Sequence, residues 1–154
     1  MLKSQFQKNL IEAGCDEVGR GCIAGPVVAA AVIMPPDYKN NNIMDSKKLS
    51  PKKREIVEKE IIKNATSWAI ASVSNNTIDK INILNASILA MHRALDKLDI
   101  KPEFILVDGN QFKQYKKLRH ECVIKGDNKY QNIAAASILA KNYRDKLMHD
   151  LRKN

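Results

Sequence analysis

Apolar residues follow two different spacings along this chain, one typical of strands and one typical of helices. Residues 26–34 are almost continuously apolar, which predicts a strand buried on both faces of a sheet. A second pattern repeats in steps of three and four residues, which places its members on one stripe of a helix. That stripe consists of Ile81, Leu84, Ile88, Met91, Leu95 and Leu98.

Shorter signals complete the predicted order of elements. Ser50 followed by Pro51 favours the start of a helix that runs to about Lys63, because serine caps helices and proline fits their first position. A last helix is predicted at 130–151, and its small first residues let it approach a sheet closely. Further strands are predicted at 11–16, 66–74, 103–108 and 122–124. The order indicates the α/β class, with helices packed on a mixed sheet.

Length and composition limit the kind of protein this can be. The chain has 154 residues and a hydrophobic fraction of 44%, which predicts one globular domain over residues 1–154. No apolar run reaches the roughly 18 residues of a membrane span, and the first residues lack the apolar core of a signal peptide. Three cysteines without metal-ligand spacing indicate neither a disulfide framework nor a zinc site. We therefore expect a cytoplasmic monomer without membrane contact.

The charge points to an anionic partner. Lysine and arginine number 26 against 17 acidic residues, a net charge of +9, which for one small domain favours nucleic acid. Basic residues are concentrated at 47–48, 52–54 and 113–119. Such runs are usually solvated surfaces, so they support nucleic-acid binding only together with the net charge.

Aromatic and histidine side chains carry no separate functional signal. Trp68 and Phe104 are expected to pack in the core. His92, His120 and His149 show no metal-ligand spacing, so they do not predict a metal site or a pair of acid–base groups.

Four acidic residues stand where predicted strands end, close to glycines: Asp16, Glu17, Asp108 and Asp127. Sites in open α/β sheets form at strand ends and in the adjoining loops. Carboxylates that cluster there repel one another, and a hard divalent cation such as Mg²⁺ relieves the repulsion. From spacing alone, Asp108 with its following glycine could instead be a turn, and Asp127 could cap a helix.

Gly19, Arg20 and Gly21 follow the acid pair directly. This loop is too short for a nucleotide-binding fingerprint, but glycine lets backbone N–H groups approach a sugar or phosphate. Such an approach would suit a ribose 2′-hydroxyl, the group that distinguishes RNA from DNA. A tight turn between two strands is the alternative interpretation.

Taken together, these motifs resemble bacterial ribonuclease HII, a type 2 ribonuclease H. Asp-Glu-Val-Gly-Arg-Gly at 16–21 and Asp-Ser-Lys at 45–47 are the most distinctive parts. The resembling blocks occur in family order and cover nearly the whole chain. They lie at 13–21, 24–32, 45–50, 78–79, 81–84, 90–91, 106–109, 125–127, 133–141 and 144–145.

The resemblance implies a ribonuclease H-like fold, which is a mixed five-stranded sheet flanked by helices. It implies an endoribonuclease that cleaves the RNA of RNA–DNA hybrids and incises at ribonucleotides embedded in duplex DNA. The implied chemistry is two-metal hydrolysis with Mg²⁺ or Mn²⁺, leaving 5′-phosphate and 3′-hydroxyl ends. The implied catalytic and metal-binding residues are Asp16, Glu17, Asp108 and Asp127, and the implied substrate-binding residues are Gly19, Arg20, Gly21, Ser46 and Lys47.

The sequence departs from the family pattern at one end. The family continues into a C-terminal helical segment with a stacking tyrosine, whereas this sequence ends at Asn154 without it. The alternative expectation is therefore a catalytically weak or inactive protein that binds hybrids. Asp145, on the last helix, is expected to be a structural partner. A metal-independent ribonuclease using the RNA 2′-hydroxyl is a further alternative, but the histidines do not favour it.

Overall fold

The structure is a computed structural model that describes residues 2–19 and 25–153. That part of the chain contains five strands and three helices, with a short 3₁₀ turn before the first helix, Ser46–Lys48, and another before the last helix, Gly126–Asn128. The strands are β1 (Glu12–Val18), β2 (Val27–Ile33), β3 (Ser67–Val73), β4 (Phe104–Asp108) and β5 (Arg119–Val123). The helices are α1 (Pro51–Asn64), α2 (Asn75–Asp96) and α3 (Gln131–Lys153).

The strands form one sheet in the order β3-β2-β1-β4-β5. Strand β2 runs antiparallel to both of its neighbours, whereas β1, β4 and β5 are parallel to one another. This arrangement confirms the predicted mixed five-stranded sheet. It also brings the carboxyl ends of β1, β4 and β5 to the same edge of the sheet.

Two apolar cores cover the two faces of the sheet, and β2 contributes to both. Ala29 and Ala31 face the core formed with α2, while Val28 and Ala30 face the core formed with α1 and α3. Every residue of β2 is buried, as its continuous apolar character predicts. The sheet is therefore a buried layer between α2 on one side and the other two helices on the opposite side.

Helix α3 approaches β1 very closely at its small first residues. A Cβ atom added to Gly14 would lie 2.5 Å from the backbone carbonyl carbon of Asn132, so only glycine fits at this crossing. Residues 134–136 are alanines without solvent exposure. The predicted close contact between this helix and the sheet is confirmed.

Helix α1 begins as the sequence predicts, with the Ser50 hydroxyl accepting a hydrogen bond from the Lys53 backbone N–H at 3.2 Å.

Helix α2 contains a break that its regular apolar spacing does not reveal. Its helical geometry breaks at Asn82, where φ is 68° and ψ is 168°. The Asn82 side chain accepts the Asn85 backbone N–H at 3.0 Å, which starts the second part of the helix in the manner of an N-cap.

The expectation for Trp68 was wrong. Its side chain is 39% exposed, because the buried positions of β3 are the alternate ones, such as Ala69 and Ala71. Strand β3 lies at the edge of the sheet, where an outward-facing aromatic ring meets solvent. Phe104 is buried as expected. None of the helices that the structure describes has the length and apolar character of a membrane span.

Candidate active site

Two of the four carboxylates come together because β1 and β4 are parallel neighbours. Cys15 pairs with Val107 in their register, so the next residues, Asp16 and Asp108, stand side by side at the carboxyl ends of the strands. Glu17 follows Asp16 within β1. Fold topology alone therefore brings together acidic residues that lie more than ninety positions apart in sequence.

Asp127 reaches the same edge of the sheet through a tight turn after β5. Lys125 adopts a left-handed conformation with φ of 55°, which reverses the chain. The backbone N–H of Gly126 then donates to Asp108 Oδ1 at 2.7 Å. A Cβ on Gly126 would lie 2.5 Å from Cδ1 of Ile133, so any larger residue there would have to displace the end of that side chain. Asp127 lies in this turn and does not cap helix α3.

One open cavity of about 620 Å³ collects these groups. The carboxylates Asp16, Glu17, Asp108 and Asp127 all line it. Gly19 and the turn residues Ser46 and Lys47 line it as well. The structure thus brings together every described residue that the sequence predicted for the site. Arg20 and Gly21 lie outside the described residues.

The carboxylates disfavour one another's charge. Burial raises the pKa of Asp16 well above its ordinary value, and the neighbouring charges of Asp108 and Glu17 raise it further. The one backbone donor found for Asp16 is the Glu17 N–H, at 2.7 Å. Burial and the charge of Asp108 also raise the pKa of Asp127, while Lys47 acts in the opposite direction.

The predicted substrate-binding residues differ in exposure. Lys47 is exposed at the mouth of the cavity. Ser46 is buried, and its hydroxyl lies 3.1 Å from that of Ser137 on α3. Gly19 has a φ of 108°, and an added Cβ would lie 2.7 Å from Arg144 Nε. Glycine is therefore needed both for the backbone angle and for the space beside Arg144.

The sequence did not predict the basic wall of this cavity, which is the group of basic side chains that line it together with the carboxylates. Arg54, Lys141 and Arg144 line the same cavity. Arg54 donates to Asn142 Oδ1 at 3.0 Å and pairs with Asp145 at 3.1 Å, and Asp145 also pairs with Lys141 at 3.2 Å.

The sequence contains a pattern from which the basic wall could have been predicted. Arg54 lies three and seven residues before the buried Val57 and Ile61, so it is a polar residue on the buried face of α1. Asn142 is likewise a polar residue on the buried face of α3, one helical turn after the buried Ile138. Asp145 pairs with basic side chains, which agrees with the structural role expected for it.

Comparison with known proteins identifies the family. The family model described as Ribonuclease HII matches residues 13–154. This chain belongs to the ribonuclease HII family. The Ribonuclease HII of Phocaeicola vulgatus is 56% identical over 153 residues, which cover 99% of this chain and 76% of that protein. The chain is accordingly an endoribonuclease of the ribonuclease H type, and the family resemblance is confirmed.

Solved structures agree in fold. The ribonuclease H2 of Pyrococcus horikoshii OT3 has a TM-score of 0.80 and 28% identity, covering 93% of this chain and 76% of its own. The RNase HII of Archaeoglobus fulgidus, solved in a complex with PCNA, has a TM-score of 0.78 and 30% identity, with coverage of 92% and 75%. The predicted ribonuclease H-like fold of this family member is confirmed.

The ribonuclease HII site suits a hard divalent cation by its donor chemistry. Four carboxylates converge in this cavity, and the charges of Asp108, Glu17 and Asp127 raise the pKa of the buried Asp16. Within residues 2–19 and 25–153, however, no three acidic, cysteine or histidine side chains form a ready-made metal shell. Mg²⁺ fits such an open arrangement, because it keeps several waters and takes its remaining ligands from carboxylates and substrate phosphates.

Proposed function

We propose that this chain hydrolyses the RNA strand of RNA–DNA hybrids and incises duplex DNA at embedded ribonucleotides, with Mg²⁺ or Mn²⁺ as cofactor. The observation that carries the proposal is the convergence of Asp16, Glu17, Asp108 and Asp127 in one open cavity. The residues that line this cavity come from the sheet, from helices α1 and α3 and from the turns that adjoin them, which supports a single catalytic domain.

The four carboxylates are the proposed metal ligands. Asp16 and Asp108 would be the central ones, because they stand side by side on neighbouring strands. Glu17 and Asp127 would complete the two ligand sets from the ends of β1 and of the turn after β5. Two bound divalent ions would supply a water of lowered pKa and stabilisation of the charge on the leaving 3′-oxygen.

The remaining residues of the cavity would bind and orient the nucleic acid. The exposed Lys47 ammonium, beside Asp127, would bind a backbone phosphate near the bond to be cut. The loop of Gly19, Arg20 and Gly21 would contact the ribose, where a 2′-hydroxyl can be distinguished from hydrogen. Ser46, supported by Ser137, would hold the turn that carries Lys47.

Incubation with duplex DNA that contains one ribonucleotide tests the proposal. We expect incision only with Mg²⁺ or Mn²⁺, and products with 5′-phosphate and 3′-hydroxyl ends. Activity that survives a chelator would instead favour hydrolysis through the RNA 2′-hydroxyl, which leaves different ends. A gel shift with RNA–DNA hybrid but no cleavage under either metal would select the hybrid-binding alternative.

A further inference from the structure

Two more cavities continue from the site along one side of the molecule. The first, of about 430 Å³, is the middle cavity, lined among others by Lys39, Lys48 and Asn128. The Ser46–Lys48 turn joins it to the site, because Lys47 lines the site cavity and Lys48 the middle one. The Gly126–Asn128 turn also joins the two cavities, because Asp127 lines the site cavity and Asn128 lines the middle one.

The second, the distal cavity of about 440 Å³, shares Lys39 with the middle cavity. Lys3, Phe6, Lys8 and Tyr130 also line it. The three cavities therefore follow one another from the carboxylates to the N-terminal segment. We call the middle and distal cavities together the track.

The N-terminal segment is fixed in place beside this track. Glu12, almost fully buried, accepts the backbone N–H of Phe6 at 2.9 Å and that of Gln7 at 2.7 Å. Lys3 forms a backbone bridge to the start of α3, donating to the Lys129 carbonyl at 2.9 Å. The side chains of this segment are thus held on a defined surface.

The charges along the track suit a polyanion. Lys48, Lys39, Lys3 and Lys8 are all exposed. In the part of the chain that the structure describes, no ion pair engages these four ammonium groups. The one carboxylate among the described residues lining the track is Asp45, which is buried and accepts the Lys47 backbone N–H.

An aromatic ring stands at the far end of the track. Phe6 is 40% exposed, although it packs against two other rings. Its centroid lies 5.8 Å from that of Phe104 in a parallel arrangement and 6.1 Å from that of Tyr130 in an edge contact. A supported aromatic ring with an exposed part, next to lysines, is the combination with which proteins bind single-stranded nucleic acid.

We propose that the track binds a single-stranded continuation of the nucleic acid that occupies the site. Lys48, Lys39, Lys3 and Lys8 contact its phosphates, and Phe6 stacks on one of its unpaired bases. The proposal rests on the proposed function only in that a nucleic acid lies across the site. The occupant is single-stranded at Phe6, because the stacked neighbours of a base inside a duplex cover both of its faces.

Binding measured without metal tests this directly. A fluorescent hybrid of about 12 base pairs is compared with the same hybrid carrying a single-stranded extension of about 6 nucleotides. Each of the four possible strand ends is extended in turn. We expect one extension to strengthen binding about tenfold. The salt dependence should steepen by about three ions, because each of the four phosphates contacted by the lysines contributes roughly 0.7. No gain from any extension would overturn the proposal.

Variants locate the effect. In the triple variant Lys3→Ala/Lys8→Ala/Lys39→Ala, the extended hybrid should bind no more tightly than the unextended one. In Phe6→Leu, the gain in affinity from the extension should be about fivefold smaller than in the unaltered protein. Phe6→Tyr keeps an aromatic face and should retain it, which separates stacking from packing. Lys113→Ala/Lys117→Ala is the charge control, and an equal loss there would show that net charge alone acts and would refute the track.

The two proposals fail separately. Metal-dependent incision without any gain from an extension would overturn the track and leave the proposed function standing. A gain that depends on Phe6 and the lysines, in a protein that never incises, would support the track and overturn the proposed function.

Discussion

Strand β1 buries one carboxylate at its first residue and another near its end, and the surroundings of the two differ. Glu12 accepts hydrogen bonds from the backbone N–H groups of Phe6 and Gln7 and from the Asn132 side chain at 2.8 Å. Asp16 accepts one from the Glu17 N–H and otherwise faces further carboxylates. Burial raises the pKa of both, but only Asp16 has neighbouring charges that raise it further.

The difference indicates that one buried carboxylate of β1, Glu12, has a structural role and the other, Asp16, a functional one. A buried carboxylate surrounded by donors fastens two parts of the fold together, here the N-terminal segment and α3. A buried carboxylate surrounded by other carboxylates lowers the free energy of unfolding of the metal-free protein. Proteins keep such a destabilising cluster where it is needed to bind a cation. The predictions below test this contrast, beginning with the largest effect.

Asp108→Asn should reduce metal-dependent cleavage at least about a thousandfold, because it removes a central ligand of the proposed site. The fold should persist, since an asparagine oxygen can still accept the Gly126 N–H. Steady-state cleavage and thermal unfolding measure the two effects. Glu121→Gln removes an exposed charge from β5 and serves as the control; undiminished cleavage by Asp108→Asn would refute the assignment.

Glu12→Gln should lower the free energy of unfolding by about 2 kcal/mol, because an amide cannot accept all the hydrogen bonds that the carboxylate accepts. Urea unfolding measures the loss. The turnover per folded molecule should not change, since Glu12 lies at the opposite end of β1 from the cavity. Unchanged stability would mean that these hydrogen bonds contribute little.

Asp16→Asn should act in the opposite direction on stability. In the absence of divalent metal, it should raise the free energy of unfolding by about 1 kcal/mol, because it removes a buried charge that neighbouring carboxylates repel. Its amide oxygen can still accept the Glu17 N–H. Cleavage should be lost at the same time. A less stable metal-free variant would show that the cluster is not strained.

The stability difference between Asp16→Asn and the unaltered protein should depend on pH. A carboxyl group whose pKa is raised by folding stabilises the fold below its ordinary pKa of 3.8, and this contribution disappears as pH rises through the folded value. The advantage of the variant should therefore vanish near pH 3 and be largest near neutrality. A metal-free pH series of urea unfolding checks it, and a difference independent of pH would contradict it.

The sequence predicted those parts of the fold in which local pattern and tertiary environment agree. Strand β2 is apolar throughout because it is buried on both faces, and α1 begins at Ser50 because its cap is local. The exposure of Trp68 on β3 was predicted wrongly. Alternation along an edge strand shows which residues share a face, but it does not show which of the two faces is buried. The break at Asn82 was invisible, since apolar spacing continues across it.

The candidate site was predictable to a similar extent. Asp16 and Asp108 follow buried strands, so their convergence needed only that β1 and β4 be parallel neighbours. The basic wall needed knowledge of which helices face the cavity, and the partners of Arg54 lie 88 and 91 positions away in sequence. The track was hidden for the same reason, because Lys3 and Lys39 meet only through the folding of the N-terminal segment onto α3.

The most direct test of the central claim is Mn²⁺ binding, followed by thermal unfolding and by the electron paramagnetic resonance of free Mn²⁺. The unaltered protein and Glu12→Gln should bind the ion and become more stable as its concentration rises, by mass action. Asp16→Asn and Asp108→Asn should show at least about tenfold weaker binding. Equal binding and equal stabilisation of all four proteins would contradict a metal site built from these carboxylates.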